Sequence, residues 1–312
     1  MVPGAQDSGG LDVNRQDSGG LDVNRQDAGA VRVVRTRAEL AAARATLTGR
    51  VVLVPTMGAL HDGHRALMRA AHALGDHVVV SIFVNPTQFG PGEDLERYPR
   101  TPGADLAICA DEDVKVVFMP DTEQMYGSGL GVRVEAGELG DRLEGAVRPG
   151  HFSGVLTVVA KLFGMVRPDA AVFGEKDYQQ LVLIRAMSRE LALGVDVRGI
   201  PTVREADGTA LSSRNRYLDQ HQRGVASALS RALRAGACAA ASGANGPGVL
   251  RAAQQVLDAE PELSVDYLEL TGPALQPTPA SGPARLLVAA RVGSTRLIDN
   301  LPVTLRPASE GR

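Results

Sequence analysis

The sequence predicts an α/β protein, in which a doubly wound, parallel, Rossmann-like sheet domain is followed by a smaller C-terminal α+β domain. Short apolar runs rich in β-branched residues alternate with stretches of helical period from about residue 36 to 203. Unbroken apolar runs are typical of parallel strands that are buried on both faces. After the turn at Asp207-Gly208 the chain changes to alanine-rich helices and then β-like runs. This change predicts the second domain.

The predicted boundaries divide the chain into four parts. Residues 1–35 form a leader that contains the ten-residue repeat QDSGGLDVNR twice and then a degenerate copy. Because the repeat is poor in large apolar groups, it cannot offset the entropy lost on ordering, and we expect disorder. The sheet domain then covers 36–203, the smaller lid domain 204–305 and a tail 306–312.

Most predicted elements are bounded by glycine, proline, asparagine or aspartate, which mark turns. In the first domain the predicted strands are 51–55, 77–84, 114–120, 170–174 and 195–203. The predicted helices there are 37–49, 64–74, 104–110, 153–166 and 178–192. The second domain has predicted helices at 220–241 and 247–259, and predicted strands at 265–270, 285–292 and 295–303.

Charge and hydropathy exclude two classes of partner. The formal charge of -3 and the pI near 6.1 argue against a nucleic-acid-binding protein, which needs a basic face. No apolar run approaches the roughly 20 residues of a membrane span, and the N-terminus lacks the pattern of a signal peptide. We therefore expect a cytoplasmic enzyme with no membrane partner.

The segment PTMGALHDGHRALM (55–68) lies where the predicted strand 51–55 turns into a helix. His61 and His64 are three residues apart at the start of that helix and so share one face. A helix N-terminus offers free N–H groups and a positive dipole end, which together bind phosphate. Two alternatives stay open from the residues alone, namely surface or capping histidines and a zinc site, although no third ligand of obvious spacing follows.

Two further segments carry residues suited to phosphate. Lys176, in FGEKDYQQ (173–180), follows a strand and precedes a helix, which places its ammonium at the carboxyl edge of the sheet. ALSSRNRYL (210–218) combines hydroxyls with a guanidinium in the connection to the second domain. On their own, these segments can also be read as a solvated charge run and an ordinary turn.

These motifs resemble one family. PTMGALHDGH is similar to the HxGH signature of the class I nucleotidyltransferase and aminoacyl-tRNA synthetase superfamily, and the preceding PTMG resembles the pantothenate synthetase (pantoate–β-alanine ligase) family. Other stretches match that family in order, and the resemblance covers about 36–305. These stretches are SIFVNPTQF (81–89), YPRT (98–101), RPGHFSGVLTVVAKL (148–162), FGEKDYQQ and ALSSRNRYL.

The resemblance implies roles for individual residues. The catalytic residues that it implies are His61, His64, Lys176 and Arg214. The implied ATP-binding residues are Pro55, Thr56, Met57, Gly58, His61, Gly63, His64, Gly174, Lys176, Asp177, Val203, Leu211, Ser212, Ser213 and Arg214. The implied residues for pantoate or β-alanine are Met57, Asn85, Gln88 and Gln180.

Two positions depart from the family pattern. The resemblance implies that Asp105 binds Mg²⁺, but the acidic residue that often precedes this aspartate is Ala104 here. Because Mg²⁺ usually keeps waters and takes oxygens from phosphates, one carboxylate is enough in principle. The methionine of the phosphate loop is replaced by Leu211, which is of similar size.

The function that the resemblance implies is an ATP-dependent ligase that activates pantoate as an acyl-adenylate. β-Alanine then attacks the adenylate, and the products are pantothenate, AMP and pyrophosphate. Mg²⁺ and a homodimer are also implied. The alternatives are a nucleotidyltransferase that moves a nucleotide onto a phosphorylated acceptor, and a non-catalytic nucleotide-binding or scaffold protein.

Overall fold

The computed structural model describes Met1 and residues 31–129 and 131–307. From Val31 onward the chain forms one compact unit. It contains two separate sheets. The predicted boundary between domains at 203/204 remains a prediction, and the ten-residue repeat falls almost wholly outside the described residues.

The first sheet is parallel and has six strands. Helices connect its strands on both faces, as the alternation in the sequence predicts. The strands are β1 (Arg32–Val34), β2 (Val51–Thr56), β3 (His77–Ile82), β4 (Val116–Phe118), β5 (Ala170–Gly174) and β6 (Asp196–Ile200). The helices are α1 (Arg37–Ala45), α2 (Asp62–His72), α3 (Pro102–Asp111), α4 (Thr122–Tyr126), α5 (Glu144–Val147), α6 (His151–Val166) and α7 (Tyr178–Glu190).

The strand order is β1-β4-β3-β2-β5-β6. From β2 the chain winds to one side through β3 and β4, and from β5 it winds to the other side through β6. Ligands of doubly wound sheets bind outside the carboxyl ends of the strands at such a reversal. The reversal lies between β2 and β5, and the sequence predicted a phosphate-binding turn after each of them.

Alternate residues of β2 are buried in different hydrophobic clusters. Val51 and Leu53 join the cluster that includes α6 and α7, whereas Val52 and Val54 join the cluster that includes α2. All four side chains are fully buried. This explains the unbroken apolar run, because a strand with a polar face cannot be covered by helices on both sides.

The second sheet is antiparallel, in the order β7-β8-β9, with two helices packed against it. The elements are α8 (Gln220–Ala241), α9 (Gly246–Asp258), β7 (Leu263–Thr271), β8 (Gly282–Val292) and β9 (Thr295–Leu305). Their apolar side chains form a hydrophobic cluster distinct from those of the first sheet. The prediction of a small α+β region after a doubly wound sheet is confirmed.

The predicted start of ordered structure, near Thr36, was too late. Residues 32–34 form β1, which pairs in parallel with residues 116–118 of β4 at the edge of the sheet. A three-residue strand is too short to show a period in the sequence. The degenerate third copy of the repeat, QDAGAVRVVR, also concealed it.

Helix α6 approaches the turn after β3 at a single glycine. A Cβ atom at Gly154 would collide with the backbone carbonyl of Thr87. The carbonyl of Gly154 also accepts a hydrogen bond from the Asn85 side chain, at 3.2 Å. Only glycine allows the helix to lie this close to residues 86–88, a 3₁₀ turn that carries Gln88.

We expect Gly154→Ala to destabilise the fold by about 1–3 kcal/mol, because the added methyl group forces the helix away from the turn. The matched control is Gly164→Ala in the same helix, where a Cβ meets nothing within 4 Å. Alanine is the better helix former, so the control should be neutral or stabilising by up to about 1 kcal/mol. Urea unfolding measures both changes, and equal midpoints for the two variants would contradict the packing argument.

Candidate functional site

A buried aspartate holds the turn between β2 and α2. Asp105 is 2% exposed, and its carboxylate accepts hydrogen bonds from the backbone N–H of Ala59 at 3.1 Å and of Leu60 at 2.8 Å. The Thr101 hydroxyl donates a third bond, at 3.0 Å. These bonds stabilise a turn that contains positive φ angles at Gly58 and Ala59. Asp105 therefore shapes the loop that leads to the two histidines.

The assignment of Mg²⁺ to Asp105 is not supported. Three donors already occupy its two oxygens, and it does not line the cavity where the other predicted site residues meet. Within the described residues there is also no group of three or more histidine, cysteine or acidic side chains arranged to hold a metal. Gly58 is part of the same turn and likewise does not line that cavity.

The two histidines begin α2 with a reciprocal pattern of hydrogen bonds. His61 is the N-cap, and its Nδ1 accepts from the backbone N–H of Gly63 at 3.1 Å. The Nδ1 of His64 accepts from the backbone N–H of His61 at 3.2 Å, and the two ring centres are 4.2 Å apart. Since each Nδ1 is an acceptor, each neutral ring carries its proton on Nε2.

The surroundings keep both imidazoles neutral at pH 7. Burial, followed by the adjacent His61, lowers the pKa of His64 to about 3. Burial and then the charge of Lys176 lower the pKa of His61. Each ring therefore presents one N–H donor and no positive charge in the free protein.

Lys176 lies on a 3₁₀ turn, Glu175–Asp177, directly after β5. Its side chain is 19% exposed, and its Nζ is 3.6 Å from the Asp177 carboxylate. Its charge contributes to the lowered pKa of both His61 and His64, so the ammonium lies near the two imidazoles. The lysine and the two histidines lie close together because the reversal of strand order makes β2 and β5 neighbours.

The segment after β6 forms a small hairpin and then the predicted phosphate loop. Arg204 bridges to Ala210, and the N–H of Leu211 donates to the carbonyl of Val203 at 2.9 Å. The Ser212 hydroxyl then caps a 3₁₀ turn, Ser213–Tyr217, through the N–H of Arg214.

Arg214 already has a partner. Its Nε and Nη2 each donate to the Asp94 carboxylate at 3.1 Å, and the guanidinium lies 6.0 Å from the centre of the Tyr98 ring. The side chain is 29% exposed. An incoming phosphate therefore competes with Asp94 for this guanidinium, which the sequence did not indicate.

Gln88 and Asn85 form a hydrogen-bonded unit. The Asn85 amide, 1% exposed, donates to the Gln88 side chain at 3.0 Å, and its oxygen accepts from the Tyr126 hydroxyl at 2.7 Å. The Gln88 amide in turn donates to the Met57 sulfur at 3.2 Å. Asn85 is thus committed to internal bonds. It orients Gln88, and although Asn85 also lines the cavity described below, its contact with substrate stays a prediction.

One cavity of about 240 Å³ gathers the remaining predicted residues at the carboxyl edge of the sheet. Part of its lining is apolar and includes Val155, Val159 and Phe173. The predicted residues that line it are Pro55, Thr56, Met57, His61, Gly63, His64, Asn85, Gln88, Gly174, Lys176, Asp177, Gln180, Val203, Leu211, Ser212, Ser213 and Arg214. A larger cavity of about 520 Å³ shares Lys176, Gln180 and Arg214 with it and extends toward the second sheet.

Two residues of the site were missed by the sequence reasoning. His151 donates through Nδ1 to the carbonyl of Gln88 at 2.8 Å, and Arg148 donates to the same carbonyl at 3.2 Å. Burial and then Arg148 lower the pKa of His151 to about 4. Both residues line the two cavities. The available signal was the motif RPGH (148–151), which, like HDGH, spans the start of a helix.

None of the helices in the described ranges is both long and apolar enough to cross a bilayer.

Several known proteins are similar to this chain in sequence, and they agree with one family model. The family model for pantoate-beta-alanine ligase matches residues 32–302. The pantothenate synthetase of Salinispora arenicola is 58% identical over 279 residues, which cover 89% of this chain and 99% of that protein. The pantothenate synthetase of Mycolicibacterium paratuberculosis is 61% identical over 257 residues, which cover 82% and 83% of the two chains.

Solved structures share the fold. The crystal structure of pantothenate synthetase from Thermus thermophilus is 50% identical with a TM-score of 0.83, and the match covers 86% of this chain and 98% of that one. The pantoate-beta-alanine ligase from Francisella tularensis, complexed with beta-gamma ATP and beta-alanine, is 34% identical with a TM-score of 0.74 and coverages of 87% and 97%. This chain therefore belongs to the pantoate–beta-alanine ligase family.

Proposed function

We propose that this protein condenses pantoate with β-alanine to form pantothenate, with cleavage of ATP to AMP and pyrophosphate. The observation that carries the proposal is the single cavity lined by two neutral Nε2–H donors, the Lys176 ammonium and the Arg214 guanidinium. Membership of the ligase family supports it. The Francisella relative is described in complex with an ATP compound and β-alanine, which supports the same choice of substrates.

The reaction has two steps. A carboxylate oxygen of pantoate attacks the α-phosphorus of ATP, the bond from that phosphorus to the bridging oxygen breaks, and pyrophosphate leaves. The amine nitrogen of β-alanine then attacks the acyl carbon of the adenylate, the acyl C–O bond breaks, and AMP leaves while the nitrogen loses a proton. The first step is necessary because the oxygen of a free carboxylate is a poor leaving group.

The first step depends on positioning and charge stabilisation more than on proton transfer. His61 and His64 donate from Nε2 to phosphate oxygens without losing a proton, since both rings are neutral. Lys176 neutralises charge that develops on the phosphates, as a mobile point charge. Arg214, which binds Asp94 in the free protein, exchanges that carboxylate for the leaving pyrophosphate, beside the hydroxyls of Ser212 and Ser213.

Pantoate binds in the smaller cavity. Its methyl groups face the apolar side chains there, while Gln88 and Gln180 bind its hydroxyl and carboxylate oxygens. Neutral amides suit this task because they orient the acid without neutralising the attacking oxygen. Gln88 is fixed for this role on one side by Asn85 and on the other by Met57.

Three further properties stay proposals that rest on family resemblance. Mg²⁺ would bind together with ATP, with phosphate and water oxygens as its ligands, which fits a site with no metal-type cluster among its described residues. The protein is a homodimer. It acts in the cytoplasm.

We expect ATP–pyrophosphate exchange that depends on pantoate and does not need β-alanine, because adenylate formation is reversible. Exchange across a panel of small hydroxy acids measures activation and acid specificity together. Free AMP in the complete reaction supports the ligase. A product that retains the nucleotide would instead support the nucleotidyltransferase alternative, and ATP binding without exchange would support a non-catalytic protein.

His61→Ala, His64→Ala and Lys176→Ala should each lower the exchange rate about a hundredfold or more, since each removes one preorganised donor to the phosphates. Their thermal unfolding should show that the fold remains intact. Arg69→Ala in α2 is a suitable control, because its partner is Glu112, away from the cavity. A variant with near-normal exchange would remove its residue from the mechanism.

The buried, neutral His64 should make stability depend on pH. Its pKa of about 3 in the folded protein lies below the usual value of 6.5, so the unfolded chain binds the proton first as pH falls. Stability is therefore lost progressively below pH 6.5, by about 2 kcal/mol at pH 5. In urea unfolding, His64→Gln should lose less stability than wild type between pH 7 and pH 5. Equal losses in the two proteins would contradict the lowered pKa.

A further inference from the structure

The second sheet contacts the turn that carries Lys176. The side-chain amide of Asn300, on β9, donates to the backbone carbonyls of Glu175 and Lys176, each at 2.9 Å. Asn300 is 4% exposed, so water competes little for these bonds. A single side chain from the second sheet therefore holds two successive peptide groups of the proposed catalytic turn.

A second contact supports the same turn from β8. Arg285, also 4% exposed, donates to the Glu175 carboxylate at 2.8 Å, and its guanidinium lies 3.7 Å from the centre of the Tyr178 ring. The Tyr178 hydroxyl donates to the carbonyl of Pro273 at 2.8 Å. Residues on both sides of Lys176 are thus bound to the second sheet or its loops.

The residue before Asn300 holds the other phosphate-binding segment. The Asp299 carboxylate, 4% exposed, accepts from Nη1 and Nη2 of Arg204 at 2.7 and 2.9 Å. Arg204 also donates to the carbonyl of Gly208 at 3.0 Å, which closes the hairpin that leads to Leu211. Two consecutive residues of β9 therefore hold the Lys176 turn and the base of the phosphate loop.

We propose that Asp299 and Asn300 are positioning residues, which set the distance between the Lys176 ammonium and the loop of Ser212 to Arg214. The proposal rests on the function proposed above. A lysine stem is flexible, so the backbone must place its base accurately for the ammonium to reach a defined phosphate oxygen. A misplacement of about 1 Å can lower a rate about a hundredfold. Both β9 residues line the larger cavity, but their side chains are bonded to Arg204 and to the Lys176 turn, so they act through these groups.

The test is Asn300→Leu, which removes both donors and keeps a similar volume. Exchange of pyrophosphate into ATP should fall about tenfold or more, with a raised KM for ATP, because Lys176 acts on the phosphates. The reaction of synthetic pantoyl adenylate with β-alanine should change less than about twofold, since no triphosphate takes part. A merely structural defect would lower both half-reactions alike, and that result would overturn the proposal.

Asn245→Leu is the matched control. Asn245 caps α9 in the same part of the chain through a hydrogen bond of 3.0 Å from the N–H of Gly248, and it does not line either cavity. The same substitution there lowers stability by the loss of a cap and should leave exchange unchanged. Equal exchange rates in Asn245→Leu and Asn300→Leu would also overturn the proposal.

Two further measurements keep the proposal testable. If Asn300→Leu does not fold, Asp299→Asn keeps the shape of the side chain and removes the charge that binds Arg204, and it should show the same split between half-reactions. Calorimetric titration with ATP is independent of turnover. If the wild type shows no exchange, the proposed function is wrong. If the wild type shows exchange but Asn300→Leu binds ATP with the same affinity as wild type, the positioning role is wrong.

Discussion

The site depends on one constraint, the parallel pairing of β2 with β5 at the reversal of strand order. Val52 and Leu53 pair with Ala170 and Ala171, so the two strands end side by side although they lie far apart in the sequence. The turn after β2 begins a helix with two histidines, and the turn after β5 carries Lys176. Without this pairing, the imidazoles and the ammonium would not line one cavity.

Burial then determines the chemistry of the groups that meet there. Because His61 and His64 are partly removed from water near an ammonium, neutral imidazole is the favoured form of each. A neutral donor binds a phosphate oxygen without adding a third positive charge beside Lys176. Arg214 differs, since it is charged and its guanidinium is bound by the Asp94 carboxylate. The site therefore combines neutral donors with charged ones.

Much of the fold could be predicted because buried strands and helices have recognisable patterns of apolar residues in the sequence. The runs that became β2, β3 and β5 are mostly apolar, and the core helices α2, α6 and α7 were predicted nearly in place. Strand β1 has only three residues, too few to show a period. The site residues were found through motifs. The internal hydrogen bonds of Asp105 and Asn85 could not be predicted, since the sequence does not show whether a polar residue binds a ligand or a backbone amide.

The junction between the second sheet and the Lys176 turn shows what accurate placement requires. It is made mainly of directional bonds from Asn300 and Arg285, and both side chains are nearly buried. Within the described residues, Asn300 Oδ1 and Arg285 Nε are buried without a hydrogen-bond partner. A buried, unpartnered polar atom lowers the free energy of unfolding by about 1–3 kcal/mol, so apolar contacts over the same area would make the protein more stable. Apolar contacts would also fix the position of the Lys176 turn less accurately, because they have no preferred direction. The polar junction therefore fits a role in placing Lys176 better than a role in stability alone.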